Sequence, residues 1–427
     1  MTDRLERLST SELTSRLSDP ATQLVDVRPV DAWNGWRLRG EARGGHIPGA
    51  RSLPRAWSDW LEWIEVVRAK GLRPERGLVL YGYEPAATEA VAERFRREGF
   101  GRIAAYHDFV DEWSRDETLP LDRLPRHEHL VPASWLAARL ASEREGLVVC
   151  HAHYRNRPDY EKGHIPGALS LDTLTLESPE TWNRRSPDEV RDALLRLGIT
   201  SRTTVVLYGR HSFPDNRDPF PGSAAGQLAA FRCAFVMLWA GVDDVRILNG
   251  GLRAWTDAGH EITGVESEPR PAAAFGAPIP GRPELAVDTP EAKRILAAPD
   301  ANLVSVRSWP EYIGEVSGYN YIEKTGRIPG SVFGNCGSDA YHMEEYRNLD
   351  HTTREYPEIA EAWRSAGITP EMRAAFYCGT GWRGSEAFFN AWLMGWPRVA
   401  VYDGGWFEWS SDPANPIGTG VPEDGPA

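Results

Sequence analysis

Gly45-His46-Ile47-Pro48-Gly49-Ala50, Gly163-His164-Ile165-Pro166-Gly167-Ala168 and Gly326-Arg327-Ile328-Pro329-Gly330-Ser331 are nearly one hexapeptide written three times. Copies more than a hundred residues apart signify duplicated domains rather than a short-period solenoid, so three domains are expected. Each copy follows an apolar, β-type run: Leu24-Val-Asp-Val-Arg28, Leu147-Val-Val-Cys-His151 and Leu303-Val-Ser-Val-Arg307. Each precedes a second run, Leu78-Val-Leu-Tyr81, Val205-Val-Leu-Tyr208 and Ala374-Ala-Phe-Tyr377. A closing signature follows in turn: Tyr106-His-Asp-Phe-Val-Asp-Glu-Trp113, Leu248-Asn-Gly-Gly-Leu-Arg-Ala-Trp255 and Tyr402-Asp-Gly-Gly-Trp-Phe-Glu-Trp409, the first without the paired glycines.

Helix signals lie between the runs. They include the capping pattern Ser9-x-x-Glu12, a Thr289-Pro290 start, and Phe388, Ala391 and Trp392 at helical spacing. Strands alternating with helices predict an α/β fold with a mostly parallel sheet covered on both faces. The stretch from Gly264 to Pro283, rich in Pro, Ala and Gly, reads as a linker, and a softer join falls near Leu121 to His129. The expected domains are therefore residues 1–125, 126–270 and 281–427, with a partly mobile tail from Asp412.

The 427 residues are 41% hydrophobic and 26% charged and include 17 Trp, a composition that supports sizeable cores. A net charge of −13 argues against a general nucleic-acid binder. Residues 1–20 carry no apolar signal core, and the longest apolar segment, Cys233 to Val242, is too short to span a bilayer. A cytoplasmic protein with neither nucleic-acid nor membrane partners is expected. The four cysteines, Cys150, Cys233, Cys336 and Cys378, match neither a disulfide framework nor a metal-ligand pattern. Cys150 in a strand and Cys233 on an apolar helix read as core residues.

Cys378 is different, because it leaves a strand into Gly379-Thr380-Gly381-Trp382-Arg383-Gly384 ahead of an amphipathic helix. Backbone N–H groups and a helix N-terminus near one sulfur favour an anion there, so Cys378 reads as a nucleophile rather than a buried structural cysteine. The equivalent positions of the other two copies hold Gly82 and Gly209, the latter followed by the insertion His211 to Phe220.

The strand ending at Arg28, the hexapeptides, the six-residue segment Cys378 to Arg383 and the Gly-Gly…Trp closures together resemble the rhodanese family of sulfurtransferases, in its three-domain bacterial YnjE-type branch. The resemblance implies three five-stranded rhodanese-like domains with an active loop only in the last. It implies transfer of sulfane sulfur from thiosulfate or 3-mercaptopyruvate through a Cys378 persulfide to cyanide, a thiol or a sulfur-carrier protein, with no cofactor and no metal. The glycines leave room for amides to surround the sulfur, Arg383 is suited to hold a small anionic donor, and Trp382 to shape the mouth. Family members use the arginine at Arg307 structurally, although Arg307 and Arg327 both remain candidates for substrate binding. Cys336 follows the third hexapeptide in a loop that runs near the active site in the family, as a relay thiol or a packed one. Gly318 to Lys324 and His342 to Arg347 are candidates for the pocket entrance.

Two other readings stay open. A cysteine phosphatase would need five residues between Cys and Arg, whereas four separate Cys378 from Arg383. A docking protein that carries sulfur only incidentally is the non-enzymatic alternative.

Overall fold

The computed structural model describes residues 5–142, 145–210 and 226–422. The insertion His211 to Phe220 lies outside them. Three five-stranded sheets are present, and every strand pairing in them is parallel. Numbered within its own sheet, each has the spatial order 1-5-4-2-3. Central strands such as Gly77–Tyr81, Thr204–Tyr208 and Arg373–Tyr377 are buried on both faces, which is why they read as continuous apolar runs. Their alternate residues still divide between two cores: Leu78 and Leu80 pack on one side of the first sheet, Val79 and Tyr81 on the other.

The repeated motifs are the fastenings of each copy. The amides of Ile47 and Ile165 donate to the hydroxyls of Tyr81 and Tyr208 at 3.2 and 2.9 Å, and in the third copy Ser331 Oγ meets Tyr377 Oη at 2.9 Å. The second hexapeptide residue donates its amide to a strand-like segment beyond the closing signature: His46 to Asp122, His164 to Thr263 and Arg327 to Gly418, at 2.8–2.9 Å. The closing Trp113, Trp255 and Trp409 hold that same segment, each giving its indole N–H to a carbonyl a few residues on. The tail beyond Asp412 is thus tied down as far as Gly420, whose N–H reaches Ile313 O at 2.7 Å. The stretch read as a linker is also pinned, for Phe275 O and Ala272 N bond Ser201 N and Leu195 O.

The chain divides into two compact units, Met1–Glu128 and His129–Ala427, so the second and third sheets share one body. The helix Gly226–Ala240 explains this, since all 15 of its residues are buried. It packs on the helix Trp382–Leu393, with Phe231 against Phe389 and Phe235 against Phe388 at centroid distances of 5.6 and 5.7 Å. Apart from Gln227 and Arg232 its residues are apolar on every side, and such a helix must be covered all round. Cys233 on this helix and Cys150 in its strand are both buried core residues.

Candidate active site

Cys378 stands at the end of the strand Arg373–Tyr377 and is 1% exposed. The helix begins at Trp382, so the loop proper is Cys378 to Gly381, and Trp382 and Arg383 occupy the first helical turn. The closing signature holds this loop open. Trp406 N and Phe407 N donate to the carbonyls of Cys378 and Gly379 at 2.8 and 2.9 Å. Gly405, at φ +54, makes that approach feasible, because a Cβ there would lie 2.7 Å from Cys378 O. With the Gly379 carbonyl turned toward Phe407, the trans peptide aims the Thr380 N–H the opposite way. The amide of Gly379 itself donates to Tyr319 Oη at 3.1 Å.

Arg383 is buried, and both of its Nη atoms are engaged. Its two Nη atoms contact Glu311 at 2.9 and 2.8 Å, and it also donates to Asp339 O, Cys336 Sγ at 3.1 Å and the Tyr319 hydroxyl. Burial disfavours the charged form of Glu311, yet the Arg383 charge and hydrogen bonds hold its carboxyl down to about 2. Arg383 is therefore a structural cation for Glu311 in this geometry, rather than a free anion holder. Cys336 sits behind it, with burial pushing its thiol up to about 12. Arg307 bonds Glu311 and Gly326 O, Arg327 bonds Gly420 O at 2.6 Å, and neither lines the pocket. In the first copy Arg28 grips Gly45 O; in the second, where His151 replaces that arginine, Arg210 grips Gly163 O instead.

Cys378 opens into a cavity of about 330 Å³. Its wall is chiefly aromatic: Tyr319, Tyr321 and Tyr341 from the third copy, Trp382 from the helix, and Tyr154 and Trp182 from the second copy. The rings brace one another. Trp182 Nε1 donates to Tyr154 Oη at 3.0 Å, Trp182 lies 4.5 Å from Tyr321 and Tyr154 5.4 Å from Trp382 between centroids. Gly318 to Lys324 thus supplies wall residues, whereas His342 to Arg347 supplies none. Tyr319 Oη accepts from both Gly379 N–H and Arg383, which occupies its two lone pairs and leaves its own proton free to donate. Burial pushes its phenol well above the ordinary value, with Arg383 only partly opposing.

The second copy also anchors the loop from behind. Trp382 Nε1 donates to Glu177 at 3.0 Å, and buried Arg232 joins Glu177 at 2.9 Å to Asp403 at 2.6 Å. Asp403 belongs to the third copy's closing signature. Tyr154, Trp182, Glu177 and Arg232 carry no local motif, and only the repeated-strand pattern around them was legible.

Comparison with known proteins fits this geometry. A rhodanese-like domain is matched three times, over residues 9–116, 133–258 and 288–412. The chain belongs to the rhodanese family. This rhodanese is 39% identical over 412 residues to thiosulfate sulfurtransferase YnjE of Escherichia coli, covering 94% of this chain and 89% of that protein. Its fold superposes on the anaerobic ergothioneine biosynthesis enzyme of Chlorobium limicola in complex with trimethyl histidine, with TM-score 0.96 and 57% identity, over 98% of this chain and 100% of that one. A variant of EanB bearing a cysteine persulfide, in a tetrahedral intermediate state with ergothioneine, gives TM-score 0.95 at 57% identity, over 97% and 100% of the two chains. Rhodanese-type sulfur transfer is the chemistry these relatives have in common.

Proposed function

We propose that this rhodanese transfers sulfane sulfur from a Cys378 persulfide to the imidazole ring carbon of a trimethylated histidine, yielding the thione. The observation that carries this reading is the aromatic wall around Cys378, suited to a quaternary ammonium by cation–π attraction. Support also comes from spacing. EanB structures vary a tyrosine, a threonine and a cysteine standing at the same intervals from the persulfide cysteine as Tyr319, Thr380 and Cys336 do from Cys378, while Ser305 corresponds to its other varied cysteine.

The cycle balances without an external oxidant. The Cys378 thiolate attacks the outer sulfur of a donor such as thiosulfate, forming the persulfide and releasing sulfite. Tyr319 then donates its proton toward an imidazole nitrogen, which makes the ring carbon electrophilic, and the terminal persulfide sulfur adds to that carbon. Loss of the carbon's proton drives C=S formation as the S–S bond breaks; that proton passes by way of the released Cys378 sulfur to the Tyr319 phenolate, which restores the Tyr319 hydroxyl and the Cys378 thiolate. Carbon is oxidised by two electrons, and the sulfane sulfur is reduced by two.

The paired state of Arg383 weighs against a phosphatase, which would need that guanidinium for phosphate. It also weakens the case for Arg383 as the thiosulfate holder. Thiosulfate itself remains the donor favoured by the likeness to YnjE. Incubation with thiosulfate or polysulfide and trimethyl histidine, followed by mass spectrometry, should give a product one sulfur heavier that vanishes in Cys378→Ala. Absence of that product alongside normal thiocyanate formation from cyanide would sink the reading.

A further inference from the structure

Two of the four described non-glycine residues with left-handed backbone, Arg155 at φ +49 and Trp182 at φ +57, line this one pocket, and both come from the second copy, whose loop has Gly209 in place of a cysteine. Side chains rarely occupy that region, and such residues gather at ligand-binding sites. The Arg155 backbone is fixed by its N–H to Asp172 Oδ2 at 3.0 Å. Its guanidinium lies over the Tyr154 ring at 5.2 Å, is exposed at the pocket mouth, and has no acidic partner among the described residues. Arg383, the other arginine in the wall, is already neutralised by Glu311.

A trimethylated histidine carries a carboxylate on the carbon that bears its quaternary ammonium. If rings take the ammonium, the carboxylate must fall beside it, where a cation is needed. We infer that Arg155, contributed by the second copy, binds the substrate carboxylate and sets specificity for an amino-acid betaine over the corresponding quaternary ammonium without the carboxylate. This assignment rests on the proposed acceptor. The catalytic cysteine and the specificity residue would then belong to different copies of one ancestral domain, which gives the copy bearing Gly209 a function in recognition.

An anionic sulfur donor presents the same chemistry to Arg155, so the two half-reactions are measured apart. Persulfide loading on Cys378 is followed by intact mass with thiosulfate alone. Transfer is followed with trimethyl histidine and with its decarboxylated analogue. In Arg155→Met, KM for trimethyl histidine should rise about tenfold or more, the loss expected for one charge-assisted contact, while KM for the analogue stays near the unmodified protein's value. Arg155→Lys should fall between, since it keeps the charge but loses the fork. Equal effects on both acceptors, or a defect confined to loading, would overturn the assignment. If the unmodified protein transfers sulfur to neither acceptor, the functional reading fails first; if it does transfer and Arg155→Met discriminates as before, only this inference fails.

Discussion

The indole N–H of Trp382, one residue past the active loop, donates to the Glu177 carboxylate of the second copy at 3.0 Å. Glu177 is buried, and burial raises its carboxyl above the ordinary value while Arg232 opposes the rise. A copy with glycine at the loop position thus holds the wall of the copy that has cysteine there.

Glu177→Ala should therefore weaken both the fold and the site. It leaves Arg232 with Asp403 as its remaining carboxylate and Trp182 O as its other acceptor, and removing one member of a buried ion network costs about 3 kcal/mol. The thermal midpoint of the catalytic unit and the acceptor KM report the two effects. An unchanged midpoint would mean that the network contributes nothing there.

Tyr319→Phe separates loading from transfer. The ring and its place in the wall are kept, but Gly379 N–H and Arg383 lose their acceptor and the donated proton is gone. Single-turnover transfer from preloaded protein should slow by about 100-fold or more, the usual worth of a positioned acid, with persulfide loading much less affected. Equal slowing of both steps would assign Tyr319 to loop architecture alone.

A cysteine cannot simply be restored to the silent copies. A Cβ at Gly209 would lie 2.0 Å from Gly226 O, and one at Gly82 lies 2.6 Å from Val27 Cγ2. Gly209→Cys should yield poorly folded protein, and Gly82→Cys a folded but destabilised one, with no second persulfide by intact mass in either. Gly405→Ala should show the converse at the live site, with less loading on Cys378 as its carbonyl is pushed aside.

Acid should act on the second copy before it acts on the active site. His151 is buried, neither ring nitrogen has a hydrogen-bond partner among the described residues, and burial lowers its pKa from 6.5 to about 3. A depressed folded value means that stability is full above pH 6.5 and is lost as pH falls toward 3, about 3 kcal/mol of it by pH 4. His151→Phe should flatten this part of a urea-midpoint profile against pH. Glu311, lowered from 4.5 to about 2, follows the same sign in a lower window: its contribution is full above pH 4.5 and disappears only as pH nears 2. The Arg383 pair should therefore persist through the range where His151 titrates.

The three copies, the parallel α/β sheets and the position of Cys378 were legible because each is written in residues adjacent in the chain: an apolar run for a doubly covered strand, a hexapeptide for a fastening, glycines where backbones approach. The sequence by itself determined the repeated fold and which copy holds a thiol at its loop. Tertiary structure decided what surrounds that thiol. Tyr154, Arg155 and Trp182 reach the pocket from some two hundred residues away, and Arg383 changes from a free cation to a paired one because Glu311, from the Ser308 capping box, faces it. Local pattern records what the backbone needs at each point, whereas the partner of a buried charge and the far wall of a cavity depend on which surfaces the apolar helix Gly226–Ala240 draws together.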